Sequence, residues 1–421
     1  MRINKILALA VFLAAGLVFP QARCFAQMPE HVRVQIIRDA ESLSLKIKGD
    51  YSIKDPVSGK YIYQNKDLYA TVTAAGAKIL MGEQAFDKER LLIVPAQEDA
   101  VTIDGRRFRG NILLILRRPP NNVSEDAGRS ASTLSESRTE GRGSSNGLMK
   151  SKSGVLSVIN YIDLEDYVQG VLYHETSHYW PDEVLKAQAI ICRTYALYQM
   201  KQNQQKDFDV TRDIYSQVYG GRTSERYRLN RAVRSTAGAI LNYQGELLPS
   251  FYHASCGGYT EDAYLVWKVD LAPLKGVLCP FCKDSPHYNW HCVLSLEEIL
   301  EKLKNSGFNI DEIKGIGILG RDGSGRITDL AIASVKNDTA DIKIAAKDFR
   351  NVVGPNVIMS TNFTVAITGG DAVFEGLGWG HGVGFCQWGG YFMAKRGDSC
   401  EQILKYYYPG VDISGGVTSS K

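Results

Sequence analysis

Asp163-Leu164-Glu165-Asp166-Tyr167-Val168-Gln169-Gly170-Val171-Leu172 is the most regular stretch of this chain. After the interruption Tyr173 to Trp180, a second one opens with Pro181-Asp182-Glu183-Val184. In the first, Leu164, Tyr167, Val168, Val171 and Leu172 recur at the i, i+3, i+4, i+7 spacing that puts apolar side chains on one helical face. Asp163 is placed to cap that helix. In the second, a proline in the first turn loses no needed hydrogen bond, and the acids beside it face the positive helix end. Val184, Gln188, Ile191, Tyr195 and Tyr198 then share one face. The spacing predicts a helical hairpin with an irregular segment between its arms.

Strand-like text surrounds the hairpin. Val32-Arg33-Val34-Gln35-Ile36, Leu43-Ser44-Leu45-Lys46-Ile47, Leu91 to Val94, Asn111 to Leu116 and Val155 to Ile159 precede it, the first two with clear alternation. Beyond it come candidate strands at Ala239 to Tyr243, Pro249 to His253, Ile327 to Ser334 and Phe363 to Thr368, with helices near Leu296 to Lys304 and Glu401 to Tyr407. Strands outnumber helices without a regular βαβ rhythm, so the expected fold is α+β, strand-rich and two-lobed, with the hairpin at an interlobe cleft. Pro119 to Ser153 is rich in Ser, Gly, Arg, Glu and Asn and nearly free of apolar residues, the composition of a disordered insertion. The expected organisation is a signal segment at 1–26, a β-rich part at 27–118, the insertion at 119–153, a core at 154–413 and a tail at 414–421.

The chain has 421 residues, 44% of them hydrophobic and 23% charged, with 49 Lys+Arg against 46 Asp+Glu. These are globular averages, and a net charge of +3 argues against a nucleic-acid binder, which shows a strong basic excess. Met1 to Ala26 reads as a secretory signal: Arg2 and Lys5 precede the apolar run Ile6 to Phe19, and Cys24-Phe25-Ala26 has a small residue at both positions that a signal peptidase inspects. An uncleaved N-terminal anchor is the alternative, and no later stretch is long enough to span a membrane. The expected location is outside the cytoplasm, in the periplasm or cell wall.

His174-Glu175-x-x-His178 fits the zinc-peptidase signature, two imidazoles one helical turn apart with a carboxylate as base. That chemistry needs a continuous helix, whereas Trp180-Pro181 turns the chain out of α conformation just beyond His178. A different reading makes Glu175 a lone general acid/base. On a turn near Tyr173, Tyr179 and Trp180 it would sit in a partly apolar cleft that keeps it protonated, as cleavage of a glycosidic bond requires.

His253-x-x-Cys256 and Cys279-Pro280-Phe281-Cys282 supply two ligand pairs for a tetrahedral structural zinc. The rival in an exported protein is a disulfide, Cys279 to Cys282 or Cys256 to either. Gly376 to Gly384 carries glycine at alternate positions around Trp379 and His381 but lacks any phosphate-loop or dinucleotide fingerprint. Such backbone permits close approach of an extended ligand, or forms a tight corner with its tryptophans in the core. All five tryptophans lie beyond residue 179, and flat aromatic faces suit sugar rings.

These regions together resemble the stage II sporulation protein D family, which includes amidase enhancers. The resemblance rests on Leu164-Glu165-Asp166-Tyr167-Val168-Gln169-Gly170-Val171 leading to Glu175, then Trp180-Pro181 and Leu185-Lys186-Ala187-Gln188-Ala189-Ile190 with Arg193-Thr194-Tyr195-Ala196-Leu197. It continues through Gln217-Val218-Tyr219-Gly220-Gly221, His253 to Glu261, Gly378 to Gly384, Gln387-Trp388-Gly389 and Tyr407-Tyr408-Pro409-Gly410. It implies that Glu175 is the acid/base of a lytic transglycosylase acting on peptidoglycan glycan strands. The carboxyl would protonate the oxygen between N-acetylmuramic acid and N-acetylglucosamine and then deprotonate the muramyl 6-hydroxyl, which closes a 1,6-anhydro ring. It also implies a zinc, consistent with a site at His253, Cys256, Cys279 and Cys282, and makes the two histidines around Glu175 incidental. A non-catalytic wall-binding protein that stimulates a wall amidase is the alternative within the same family. Arg193, Tyr195, Gln217, Ser255, Thr260, His381, Gln387 and Trp388 are the expected substrate-binding residues, with no cofactor needed for catalysis itself.

Overall fold

The computed structural model describes residues 31–117, 154–334 and 341–415. The signal segment 1–26, the insertion 119–153 and most of the tail 414–421 lie outside the described residues. The fold is α+β and strand-rich, as the sequence pattern predicts, with eight α-helices among the described residues.

An eleven-stranded sheet built almost wholly from residues 31–163 forms the base. Strand Ser42–Lys54 shows why: Leu43, Leu45 and Ile47 are buried while Ser44, Lys46 and Lys48 are exposed, the period-2 pattern of a half-buried strand. Asn111–Arg117 lies deeper, with Ile112 and Leu114 in the main cluster and Leu113 and Ile115 in a small one on the opposite face. It pairs antiparallel with Val155–Asp163, Arg117 opposite Val155, so the segment between them joins neighbouring strands of one sheet. The fifteen-residue strand Tyr61–Ala75 has no counterpart in the sequence reading. Most of its first nine side chains are exposed, so no apolar period marks it, and its pairing with Ser42–Lys54 holds it in place.

The hairpin follows. Helix α1 spans Leu164–Glu175, and the Asp163 carboxylate accepts from the backbone N–H of Glu165 at 2.8 Å. Helix α2 spans Asp182–Gln202, with Pro181 one position earlier than expected, at the cap itself. The one-faced amphipathic helix anticipated for α2 is instead buried on nearly every side. Leu185, Ala189, Cys192, Ala196 and Met200 enter the core above the large sheet. Val184, Ala187, Ile190 and Ile191 enter a second core, built from residues 239–283 and 383–413. Helix α3, Tyr227–Ser235, packs against both arms of the hairpin.

A third buried cluster belongs to residues 290–374, where Asn289–Ser295 pairs with Asp371–Leu377 and Ile327–Ala333 lies between Gly315–Arg321 and Ile342–Ala345. Burial is thus organised around three large clusters, with α2 shared by the first two.

Arg193 ties the hairpin together from within. Its guanidinium is fully buried, meets the Glu165 carboxylate through two 2.7 Å bonds, and donates to the Ala239 and Val233 carbonyls. Replacing Glu165 by alanine leaves that cation buried without its counter-ion, and the expected loss is about 3 kcal/mol or more by denaturant unfolding. Removal of the exposed Glu401–Lys405 pair, by contrast, is expected to cost under about 1 kcal/mol.

Candidate active site and cysteine cluster

Glu175 is the last residue of α1, and Thr176 leaves helical conformation at φ −142°, ψ 154°. The hairpin therefore presents the carboxylate at the turn between its arms. Glu175 Oε1 accepts from the backbone N–H of Val218 at 3.3 Å. The Gln387 amide crosses from the second core, donating to the Glu175 carbonyl at 3.0 Å and to Gln188 Oε1 at 3.3 Å. Behind the carboxylate, Tyr167 donates to Gln217 Oε1 at 3.1 Å and Gln217 Nε2 to the Tyr252 hydroxyl at 3.3 Å, with Tyr252 in turn bonded to Glu175.

Protein encloses this carboxyl on every side except the groove, which leaves the residue half-buried. Burial pushes its pKa up to about 7, against the smaller opposing pull of Tyr252, Val218 and Gln387. At neutral pH the group is divided between acid and base forms, the poise that general acid/base catalysis requires.

The groove before it has a volume of about 620 Å³. Its lining includes Trp180, Trp379, Trp388 and His287, and Glu175 is the one carboxylate among the described residues that line it. Trp180 and Trp388 lie 5.0 Å apart between ring centres, and His287 touches Trp379 at 4.7 Å, so a bank of flat rings borders the acid.

Of the two readings of the alternating glycines, the contacts favour the tight corner over the close approach of a ligand. A Cβ at Gly378 would stand 2.6 Å from the Ser255 carbonyl oxygen, and one at Gly380 would stand 2.7 Å from the His253 Cβ. The segment thus runs hard against residues 253–257 of the same chain, where Ser255 and Trp379 exchange backbone hydrogen bonds at 2.8 and 3.1 Å. That contact aims the Trp379 ring into the groove.

Of the residues expected at the cleft, Glu175, Gln387 and Trp388 meet there. Arg193 does not: it is the buried counter-ion of Glu165. Gln217 is buried behind Glu175, within the tyrosine–glutamine chain. Thr260 is spent on Val277, accepting from its N–H at 2.7 Å, and Ser255 sits against Ser285 at 3.3 Å. Tyr195 packs on Phe251, and His381 lies among Trp267, Phe251 and His253, outside the groove lining. Tyr252, Val218, Gln188 and His287 were not anticipated. Each reaches the site through tertiary contact from a remote segment, and the Gly-Trp-Gly run was the only local signal, for Trp379.

The zinc-peptidase geometry is absent. The helix ends before His178, whose ring stacks on Tyr173 and lies tilted against Tyr179, while His174 Nε2 is 2.6 Å from the Ser224 hydroxyl.

The ligand set expected at His253, Cys256, Cys279 and Cys282 is corrected in one position. The fourth member is Cys386, and the four sulfurs lie within 4.8 Å of one another. His253 instead directs Nδ1 at the Val383 carbonyl, 3.1 Å away, and its ring packs beside His381. Cys256 and Cys282 sulfurs are 3.4 Å apart without a disulfide, and none joins any cysteine among the described residues. A tetrahedral zinc with bonds of about 2.3 Å separates its sulfurs by roughly 3.8 Å, which this cluster accommodates. The Cys386 sulfur also accepts from the backbone N–H of Cys256 and Gly389, at 3.3 and 3.4 Å, support that metal thiolates commonly receive. Gly389 is required there, because a Cβ would stand 2.8 Å from the Cys279 sulfur.

A family profile described as stage II sporulation protein matches residues 152–243, and one for a domain of unknown function matches residues 281–384. Stage II sporulation protein D of Bacillus amyloliquefaciens is 31% identical, over 61% of this chain and 75% of its own length. The chain belongs to the stage II sporulation protein D family. An uncharacterised protein of Brachyspira hyodysenteriae is 40% identical, over 61% of this chain and 68% of its own. The amidase enhancer of Bacillus subtilis is 29% identical, over 59% of this chain and 40% of its own. The profile that shares the family's name covers both arms of the hairpin, Glu175 and Val218.

A carboxyl whose folded pKa lies above its unfolded value weakens the fold as pH rises from about 4.5 through about 7, by on the order of 3 kcal/mol at completion. Glu175→Gln removes the buried charge. The variant is therefore expected to melt a few degrees above the parent at pH 8, with the difference closing towards pH 4.5; calorimetric scans across that range measure it.

Proposed function

We propose that this protein cleaves the glycan strands of peptidoglycan as a lytic transglycosylase, with Glu175 as its general acid and base. The observation that carries the reading is the lone, raised-pKa carboxyl at the base of a tryptophan-lined groove. Hydrolysis of a glycosidic bond ordinarily uses two carboxyl groups flanking it, one of them to activate water or attack the sugar. A single carboxyl suffices when the nucleophile is internal. Protonated Glu175 gives its proton to the oxygen leaving C1 of N-acetylmuramic acid as that C–O bond breaks. The muramyl 6-hydroxyl oxygen bonds to C1, and its proton returns to Glu175, so the acid is regenerated and no water is consumed. Tyr252 and the Val218 N–H steady the carboxylate between the two transfers, and Gln387 fixes the backbone that bears it.

Export to the periplasm or wall belongs to the same proposal, and the signal-like composition of residues 1–26 supports it. No helix among the described residues is long and apolar enough to cross a membrane. The similarity to an amidase enhancer supports a second reading, in which the groove binds glycan and the bound protein assists a wall amidase.

The cysteine cluster would hold a structural zinc through Cys256, Cys279, Cys282 and Cys386. Four protein ligands leave no open position for catalysis. Bound there, the ion would clamp residues 256–282 to Cys386, which directly precedes Gln387 and Trp388 of the groove.

Purified peptidoglycan digested with this protein is expected to yield 1,6-anhydromuramyl ends by mass spectrometry. Production should fall as pH climbs past about 7, where Glu175 loses its proton, and vanish in Glu175→Gln. Reducing muramyl ends would contradict the reading; binding without cleavage, together with acceleration of an added amidase, would replace it by the second. Metal analysis is expected to find about one zinc per chain. Cys386→Ser should lower that content and His253→Ala should leave it unchanged.

A further inference from the structure

Arginines gather at one edge of the groove that holds Glu175. Arg226 lies on the Tyr173 ring, its guanidinium 4.2 Å from the ring centre, and Tyr173 lines the groove. Arg226 Nη1 donates to the carbonyls of Thr223 and Glu225 at 3.1 and 2.8 Å, while its Nε and Nη2 meet no protein partner among the described residues. Next to Tyr173 in the groove wall stands His174. Its Nε2 meets the Ser224 hydroxyl, and its ring closes on Gly220, where a Cβ would stand 2.4 Å from Nε2. Two more guanidinium groups flank that junction. Alternation along the strand Arg106–Phe108 puts Arg106 on the same face as Phe108, whose ring meets Tyr219 at 6.2 Å. Tyr219 in turn donates its backbone N–H to the Arg212 carbonyl at 3.1 Å. Burial, then the charges of Arg106 and Arg226, hold the His174 pKa below its usual value, and burial and Arg106 do the same to Arg212.

The carboxylates around these cations are engaged elsewhere. Asp104 and Asp213 lie near enough to offset part of the Arg212 charge, yet neither forms an ion pair with Arg106 or Arg212 among the described residues. Asp104 accepts from the N–H and hydroxyl of Ser44 at 2.8 and 3.1 Å, and Asp213 from the Thr211 hydroxyl and the Tyr215 N–H at 2.8 and 3.0 Å. Glu225 is taken by Arg109, Arg222 and Asn230. Arg212 is half-buried, and a guanidinium withdrawn from water with no carboxylate against it keeps free a fork of donors that fits a carboxylate. The groove itself has no lysine or arginine among the described residues that line it, so these cations at its edge complement it. A glycan bound there brings anions of its own. Each muramic acid carries a lactyl group, which ends in a carboxylate when bare and in an amide-linked peptide with further carboxylates when substituted; N-acetylglucosamine carries neither. We propose that Arg106, Arg212 and Arg226 form an anion subsite at the edge of the groove, which takes a carboxylate from the side arm of a bound muramic acid. The subsite rests on the wall-glycan reading of the groove.

The test uses the full chain carrying Glu175→Gln, so that glycan binds without being cut. Calorimetry at low salt compares a peptide-free wall glycan tetrasaccharide, the same molecule with its lactyl carboxyls methylated, and a tetrasaccharide bearing stem peptides. The free acid is expected to bind about 10-fold tighter than its ester, the size of one charge-assisted contact, and the gain should shrink as salt is added. Adding Arg106→Gln together with Arg212→Gln should remove that gain and leave the affinity for the ester unchanged. Neither side chain has an ion pair to lose, so this variant is expected to melt normally. A loss of affinity confined to the free acid assigns the carboxylate to the lactyl group, and one confined to the stem-peptide ligand assigns it to the peptide. The anion subsite is overturned, and the groove spared, if the double substitution weakens neither of these two ligands in a normally melting protein. Binding of none of the three overturns both.

Discussion

A fully buried arginine on a helix shared by two cores is the constraint on which the geometry around Glu175 depends. Arg193 cannot be solvated where it stands, so it must take Glu165 from the start of α1 and two carbonyls from around α3. That demand fixes α1 against α2, with α3 packed on both. With both helices fixed, the loop between them has little freedom, and Glu175 is held at its mouth. The Gln387 amide completes the frame by bonding to both arms at once.

The same frame decides the chemistry. A carboxyl at an exposed helix end would be ionised at neutral pH, whereas here withdrawal from water holds it near half-protonation. The hydrogen bonds from Val218 and Tyr252 keep the ionised form tolerable, so the group can move between the two states that an acid/base cycle visits. On the far wall, the cysteine cluster and the groove share a chain segment: Cys386 is turned inward to the other thiols, while Gln387 and Trp388 are turned to the groove. Order in the cluster is thereby order in this wall of the groove.

The sequence revealed what local periodicity can reveal. Asp163 as a cap, the two helical arms and the alternating strand Ser42–Lys54 are all short-range patterns, whereas the break expected from Tyr173 begins only at Thr176, so Glu175 is the last residue of α1. Tyr61–Ala75 escaped notice because an exposed strand has no apolar rhythm, and Gln387–Arg396 because Gly389 and Gly390 disguise a helix whose close packing demands them. Of the four residues expected together, Cys256, Cys279 and Cys282 do cluster, and Cys386 stands where His253 was expected. His253 and Cys256 are neighbours in sequence, but Cys386, 130 residues from Cys256, is its neighbour in space. Arg193 looked like a substrate-binding cation because sequence does not disclose that Glu165 lies against it. Polar residues in a motif-rich stretch divide between groove and interior by tertiary contact alone.

The account stands on one carboxyl doing the work for which hydrolases recruit two. Cleavage of peptidoglycan in water enriched with oxygen-18 tests that claim most directly, since only hydrolysis places solvent oxygen on the new sugar end. The account predicts 1,6-anhydromuramyl termini free of the label, produced by the parent protein and absent with Glu175→Gln. Oxygen-18 at the new reducing ends would contradict it.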